Sequence, residues 1–145
     1  MALFDRDRHG DFNHYRTISI KKMSPGSSIT ALCYESKRNT LAIGTNSAEL
    51  FFMDIDKNKL ISRCETKGGE IEHLFHCQDE HVLLAFTKKT EIFGIYLPPH
   101  SKKFKPSCHL ISEHSTKISS VAMNGDSKRC YIGFENGDLM CFYLT

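Results

Sequence analysis

Three stretches of this chain, residues 41–55, 83–97 and 130–144, align over fifteen residues without a gap, each reading as strand, tight turn, strand. A chain built on such a repeat folds as stacked copies of one unit, because a single copy cannot bury its own apolar faces. The third copy, CYIGFENGDLMCFYL, matches the first, LAIGTNSAELFFMDI, at a glycine (Gly133 against Gly44). It also matches at an acid just past the turn (Asp138 against Glu49) and at the aliphatic residue that follows (Leu139 against Leu50). The middle copy, LLAFTKKTEIFGIYL, keeps the apolar, polar turn, apolar order with Phe86 in the glycine place.

An apolar strand begins about a dozen residues upstream of every copy, at Ile29, Ile71 and Ile118, starts that lie 42 and 47 residues apart. A period of roughly 40 to 50 residues made of short strands marks the blade of a β-propeller rather than a helical solenoid. Helical repeats of that length would place apolar residues at three- and four-residue spacing, and Leu50-Phe51-Phe52-Met53-Asp54-Ile55 does not. The expected fold is all-β, a partial propeller of about three four-stranded antiparallel blades.

The first blade is expected over residues 25–66, with strands Ile29–Tyr34, Thr40–Thr45, Glu49–Ile55 and Leu60–Cys64. The second spans 67–113, with strands Ile71–Cys77, Val82–Thr87, Glu91–Leu97 and Ser107–Ile111. The third, over 114–145, has Ile118–Met123, Arg129–Phe134 and Asp138–Leu144 and lacks a fourth strand. Residues 1–24 supply surplus strand: Ala2–Phe4, and Tyr15–Lys21, which alternates apolar and polar residues and is the candidate to complete the third blade. Three blades are too few to close a ring of the usual four to eight. Three continuations stay open: a second copy of the chain, the rest of a longer propeller, or an open array with capped edges.

The run Leu41-Ala-Ile-Gly-Thr-Asn-Ser-Ala-Glu-Leu-Phe-Phe-Met-Asp54 resembles the second and third strands of WD-repeat β-propellers, with Asp54 at that family's closing aspartate. His114, four residues before Ile118, sits where the family's histidine would be. The chain departs from the family in having no tryptophan, whose place is taken by Met53, Ile95 and Phe142, and in carrying Ser47, Lys89 and Asn136 where the turn aspartate belongs. The family's buried His, Ser/Thr, Asp, Trp network therefore cannot form in its usual way, and apolar packing is expected to replace it. Residues 6–54 are also similar in layout to an early blade of WD-repeat proteins that carry a FYVE zinc finger, whose paired CxxC spacing this sequence lacks.

Composition, with 40% apolar and 25% charged residues, is that of an ordinary globular domain, and no apolar run approaches the length of a membrane span. The N-terminus turns charged at Asp5-Arg6-Asp7-Arg8 before a signal-peptide core could form, so a cytoplasmic address is expected. Cys33, Cys64, Cys77, Cys108, Cys130 and Cys141 show no two-residue pairing and read as reduced, mostly buried small hydrophobes.

A formal charge of +2 gives no strong nucleic-acid signal. Its one concentration is the loop His100–Pro106, where Lys102, Lys103 and Lys105 surround Phe104; this loop is the candidate for an acidic partner or an anionic membrane surface.

Two histidine groupings invite a metal reading: His73, His76 and Cys77, and Cys108, His109 and His114. On extended strands neither brings three or four ligands to one face, so no metal or cofactor is expected. No serine or cysteine stands on a tight elbow with a base that a third group orients, so the chain is not expected to be an enzyme.

What remains is the surface of a rigid array of loops. The expected function is a non-catalytic protein-interaction scaffold or adaptor, a subunit of a larger assembly, with the basic loop offering the alternative of a membrane-surface adaptor. Candidate contacts lie in the links that enter each blade, Ser27-Ser28, Gly69-Glu70 and Thr116-Lys117, and at turn residues Asn46, Lys88, Lys89 and Glu135.

Overall fold

The computed structural model describes residues 2–6, 12–77, 81–98, 105–124 and 129–143, and the regular structure among them is entirely β. Three antiparallel sheets follow one another along the chain. The first blade is β3 (Ile29–Glu35), β4 (Thr40–Thr45), β5 (Glu49–Asp54) and β6 (Lys59–Glu65), paired in that order. The second is β7 (Ile71–Cys77), β8 (Val82–Thr87), β9 (Glu91–Tyr96) and β10 (Ser107–Glu113). The third is β11 (Ile118–Met123), β12 (Arg129–Phe134) and β13 (Leu139–Tyr143), three strands among the described residues.

The middle strands of the first two blades are buried on both faces, which is why they read as unbroken apolar runs rather than as alternating ones. Alternation decides which neighbour each side chain meets. Ala42 and Phe52 point into a core shared with Leu74, Leu83, Ala85 and Phe93 of the second blade. Ile43, Phe51 and Met53 point the other way. Leu84, Phe86 and Ile92 leave the far side of the second blade to meet Ile118, Cys130 and Ile132 of the third. Each fully buried Phe or Ile in these seams contributes roughly 1.5–3 kcal/mol of transfer free energy, so blade-on-blade stacking is what holds the array together.

The repeat extends to irregularities of the backbone. The pairing of the first and second strands slips at the same place in every blade, between Ile29 and Ala31, between Ile71 and His73, and between Ile118 and Ser120. Such a bulge increases local twist at one end of each blade. Thr30 then bridges two blades, its hydroxyl donating to the carbonyls of Gly44 (3.3 Å) and Ile71.

The N-terminal segment departs from expectation. β2 (Phe12–Thr17) pairs antiparallel with β1 (Ala2–Arg6) in a separate hairpin, not with β13, so it does not complete the third blade. The chain then leaves the hairpin at Ile18, which is buried against Ile43, Phe51 and Met53, with Ile20 and Met23 beside it. The alternation at Ile18 and Ile20 thus serves to cover the outer face of the first blade. At the opposite end of the array Leu139 and Tyr143 on β13 are 74% and 62% exposed.

Candidate protein-interaction rim

The turns β4–β5, β8–β9 and β12–β13 lie at one edge of the array, beside the links that enter the blades. One backbone bond repeats at all three: Asn46 N–H donates to Ser28 O (3.2 Å), Lys88 N–H to Glu70 O (2.8 Å) and Glu135 N–H to Lys117 O (2.9 Å). Within each turn the residue before the acid takes a left-handed conformation, Ala48 at φ 61°, Thr90 at 66° and Gly137 at 91°. Only the third copy has the residue that adopts it without steric cost.

A polar lock holds the first two turns. Thr45 Oγ1 accepts from Ser47 N–H and Glu49 N–H (both 3.2 Å), and the Glu49 carboxylate accepts from Ser24 N–H (3.3 Å) in the incoming link. In the second blade Thr87 Oγ1 accepts from Glu91 N–H (3.3 Å) and donates to Glu91 Oε1 (2.9 Å), which in turn accepts from Gly69 N–H (3.0 Å). Apolar packing is therefore not the whole replacement for the WD-repeat network: a threonine and a glutamate four residues apart do much of that job. The recurring Thr-x-x-x-Glu of residues 45–49 and 87–91 was the available signal.

Glu49 also accepts from Arg63 Nη2 (2.8 Å). Burial pushes its carboxyl up, but hydrogen bonds from Arg63 and Ser24 and the Arg63 charge outweigh that, and the net shift is below the ordinary carboxylate value.

The third copy lacks the lock. Phe134 replaces the threonine and Asp138 the glutamate, and the Asp138 carboxylate takes Asn136 Nδ2 (3.0 Å) of its own turn. His114, Ser115, Thr116, Phe134 and Asp138 line a hollow of about 190 Å³ there. His114, the counterpart of the family's histidine, has Nε2 2.8 Å from Ser112 Oγ and its ring 5.2 Å from that of Phe134. The Ser112–His114 contact has a nucleophile-to-base distance, yet among the described residues no carboxylate is hydrogen-bonded to that imidazole to orient it.

The opposite edge carries a buried ionic cluster that the sequence did not reveal. Glu35 accepts from Lys37 N–H (3.0 Å) and Arg38 N–H (2.8 Å) and pairs with Arg38 Nη1 at 3.4 Å. Arg38 Nη2 reaches the second blade, donating to Pro98 O (2.6 Å) and lying 3.1 Å from His81 Nδ1. His76 Nε2 sits 3.8 Å from Glu35 Oε1. Burial holds the His76 imidazole below its ordinary value, with Arg38, Lys37 and His81 acting in the same direction and Glu35 against it.

The candidate contacts sort by edge. Asn46, Lys88, Lys89, Glu135 and Lys117 are exposed on the rim and Thr116 is half-buried there. Lys117 Nζ lies 3.9 Å from Glu135 Oε1, and Asn46 Oδ1 accepts from Ser28 N–H (2.9 Å). Lys105 is exposed before β10 at the other edge, whereas Lys102, Lys103 and Phe104 lie outside the described residues. No cluster of three metal-ligating side chains occurs among the described residues, and no helix is long and apolar enough to cross a membrane. Cys141 is exposed, while burial, with Cys108 adding to it, pushes the Cys64 thiol up to about 12, and burial, with Cys77 adding to it, does the same for Cys130.

No family model and no curated protein sequence matches the chain. Solved structures do match. The β-propeller domain of Cps50 (Swd1) from Myceliophteria thermophila superposes with a TM-score of 0.76 at 18% identity, covering 98% of this chain and 49% of that one. A chain of the Mitotic Checkpoint Complex superposes with a TM-score of 0.68 at 10% identity, covering 98% of this chain and 42% of that one. The fold expected from the threefold repeat and from the resemblance to WD-repeat propellers is the fold found, a partial β-propeller. The chain spans less than half the length of either similar structure.

Proposed function

We propose that this chain is a non-catalytic protein-interaction scaffold, a subunit of a larger assembly that offers the rim as its contact surface. The observation that carries this reading is the repeated bond from each turn to the link beside it, which fixes Asn46, Lys88 and Glu135 in equivalent, outward-facing places on three blades. A contact surface whose backbone is fixed beforehand loses less entropy on binding. One similar structure is a chain of the Mitotic Checkpoint Complex, which supports a protein partner for this chain too. The exposed edge of β13, with Leu139 and Tyr143, offers a place for a further strand from another chain or a second copy. A cytosolic location belongs to the same reading.

The test is native size-exclusion of the tagged chain from cells. It elutes well above the mass of a single chain, with another protein in fixed ratio, and the combined Asn46→Ala, Lys88→Glu and Glu135→Lys substitutions reduce that ratio while the circular dichroism stays unchanged. Elution as a lone monomer, or an assembly indifferent to the rim, overturns the proposal.

A further inference from the structure

The three rim turns are internal controls for one another, and the third differs in a way that leaves space. In the first two blades a glutamate extends from the start of the third strand to an N–H of the incoming link, Glu49 to Ser24 and Glu91 to Gly69. The Glu91 carboxylate also fills the ground in front of the link: a Cβ added to Gly68 would sit 2.5 Å from its Oε1. At the corresponding place in the third blade Asp138 is one methylene shorter and stays within its own turn, bonded to Asn136 Nδ2. The ground that Glu91 occupies becomes the hollow of about 190 Å³.

We infer that this hollow is a receptor for a protonated amine, the side chain of a lysine presented by a protein partner. The lining matches that chemistry on each side. Asp138 supplies a carboxylate, and Ser115 and Thr116 supply hydroxyl acceptors for an ammonium with three donors. Phe134 and His114 also line the hollow, their rings packed on each other with centroids 5.2 Å apart. The hollow is smaller than a pocket for a drug-sized molecule, which suits one side-chain head group. Lys117 Nζ lies 3.9 Å from Glu135 Oε1, and among the described residues no lysine or arginine forms an ion pair with Asp138. This inference rests on the scaffold reading and names what one blade of the rim would grip.

The test is nuclear magnetic resonance on the ¹⁵N-labelled 145-residue chain near neutral pH and low salt, titrated with capped Gly-Lys-Gly and with the same peptide acetylated on the lysine. The lysine peptide shifts the amides of Ser115, Thr116 and Asp138 saturably at millimolar concentration, and the neutral peptide binds at least about tenfold more weakly. Asp138→Asn abolishes the shifts. Asp138→Glu, which keeps the charge but restores the reach of Glu91, abolishes them as well, and unchanged amides in the first blade report that each variant is folded. The inference is overturned if the glutamate variant binds like the parent, if the acetylated peptide binds equally, or if no saturable shift occurs. If the peptide fails while the chain still travels in its native assembly, only this inference falls. If the peptide binds a chain that is a lone monomer in cells, the scaffold reading falls and the site stands.

Discussion

Arg63 Nη2 lies 2.8 Å from Glu49 Oε2, joining a carboxylate whose side chain is 3% exposed to a guanidinium 42% exposed. The pair spans β5 and β6 at the rim, so one buried charge braces both the outer strand of the first blade and, through Ser24 N–H, the link that enters it.

Glu49→Gln keeps the shape and replaces charge-assisted bonds with neutral ones, and is expected to cost about 1–2 kcal/mol near neutral pH. The acid dependence has a definite sign. The folded-state value of Glu49 is lowered, so its contribution is present above the ordinary carboxyl value of 4.5 and is lost as pH falls through the folded value. Urea unfolding of parent and variant should therefore differ most at about pH 7 and less at about pH 4, below the ordinary carboxyl value. Equal midpoints at both pH values would refute a stabilising role for this carboxylate.

Much of this architecture was legible in the residues. The strands Thr40–Thr45, Ile71–Cys77, Val82–Thr87, Ile118–Met123 and Arg129–Phe134 occur with the bounds that apolar runs between polar turns imply. The lock was not read from the residues, because glutamate is not a residue type of the WD-repeat network and the recurrence of Thr-x-x-x-Glu at residues 45–49 and 87–91 does not by itself say that the glutamate is buried against a link. The pairing of β2 was missed for a different reason. Alternation at Ile18 and Ile20 shows that one side is buried but not against what, and Ile43, Phe51 and Met53 are the surface that receives it. The cluster of Glu35, Arg38 and His76 draws on two blades, and each residue by itself looks like part of a solvated turn or strand end.

Two glycines separate crowding from backbone strain. A Cβ on Gly44 would meet Ile71 Cγ2 at 2.7 Å and Ile71 Cβ at 3.1 Å, and Ile71 is fully buried and stiff about its first torsion. Gly44→Ala is expected to cost about 1–3 kcal/mol by forcing the first two blades apart. Gly137, at φ 91°, has open space around the missing Cβ, so Gly137→Ala is expected to cost about 1 kcal/mol through the backbone alone. Chemical denaturation measures both. Substituting Ile71→Val in the Gly44 variant should recover part of its loss and leave the Gly137 variant unaffected; equal effects on the two would show that Gly44 is not a packing site.

His76 gives the fold a second dependence on acid, in a higher window than Glu49. Among the described residues its Nε2 is buried without a hydrogen-bond partner, faces Glu35 at 3.8 Å and shares the seam with Arg38, Lys37 and His81. Because the folded-state value lies below the ordinary 6.5, the unfolded chain takes up this proton first. The neutral imidazole thus supports the fold fully above about that pH, and the support is lost as pH falls from there through the folded value. Between about pH 7.5 and 5.5 the Tm of the parent should drop, by roughly 2–4 °C for each kcal/mol lost. His76→Gln cannot charge, so its Tm should decline less over the same interval. Parallel declines of parent and variant, followed by differential scanning calorimetry, would place the titration elsewhere than at this histidine.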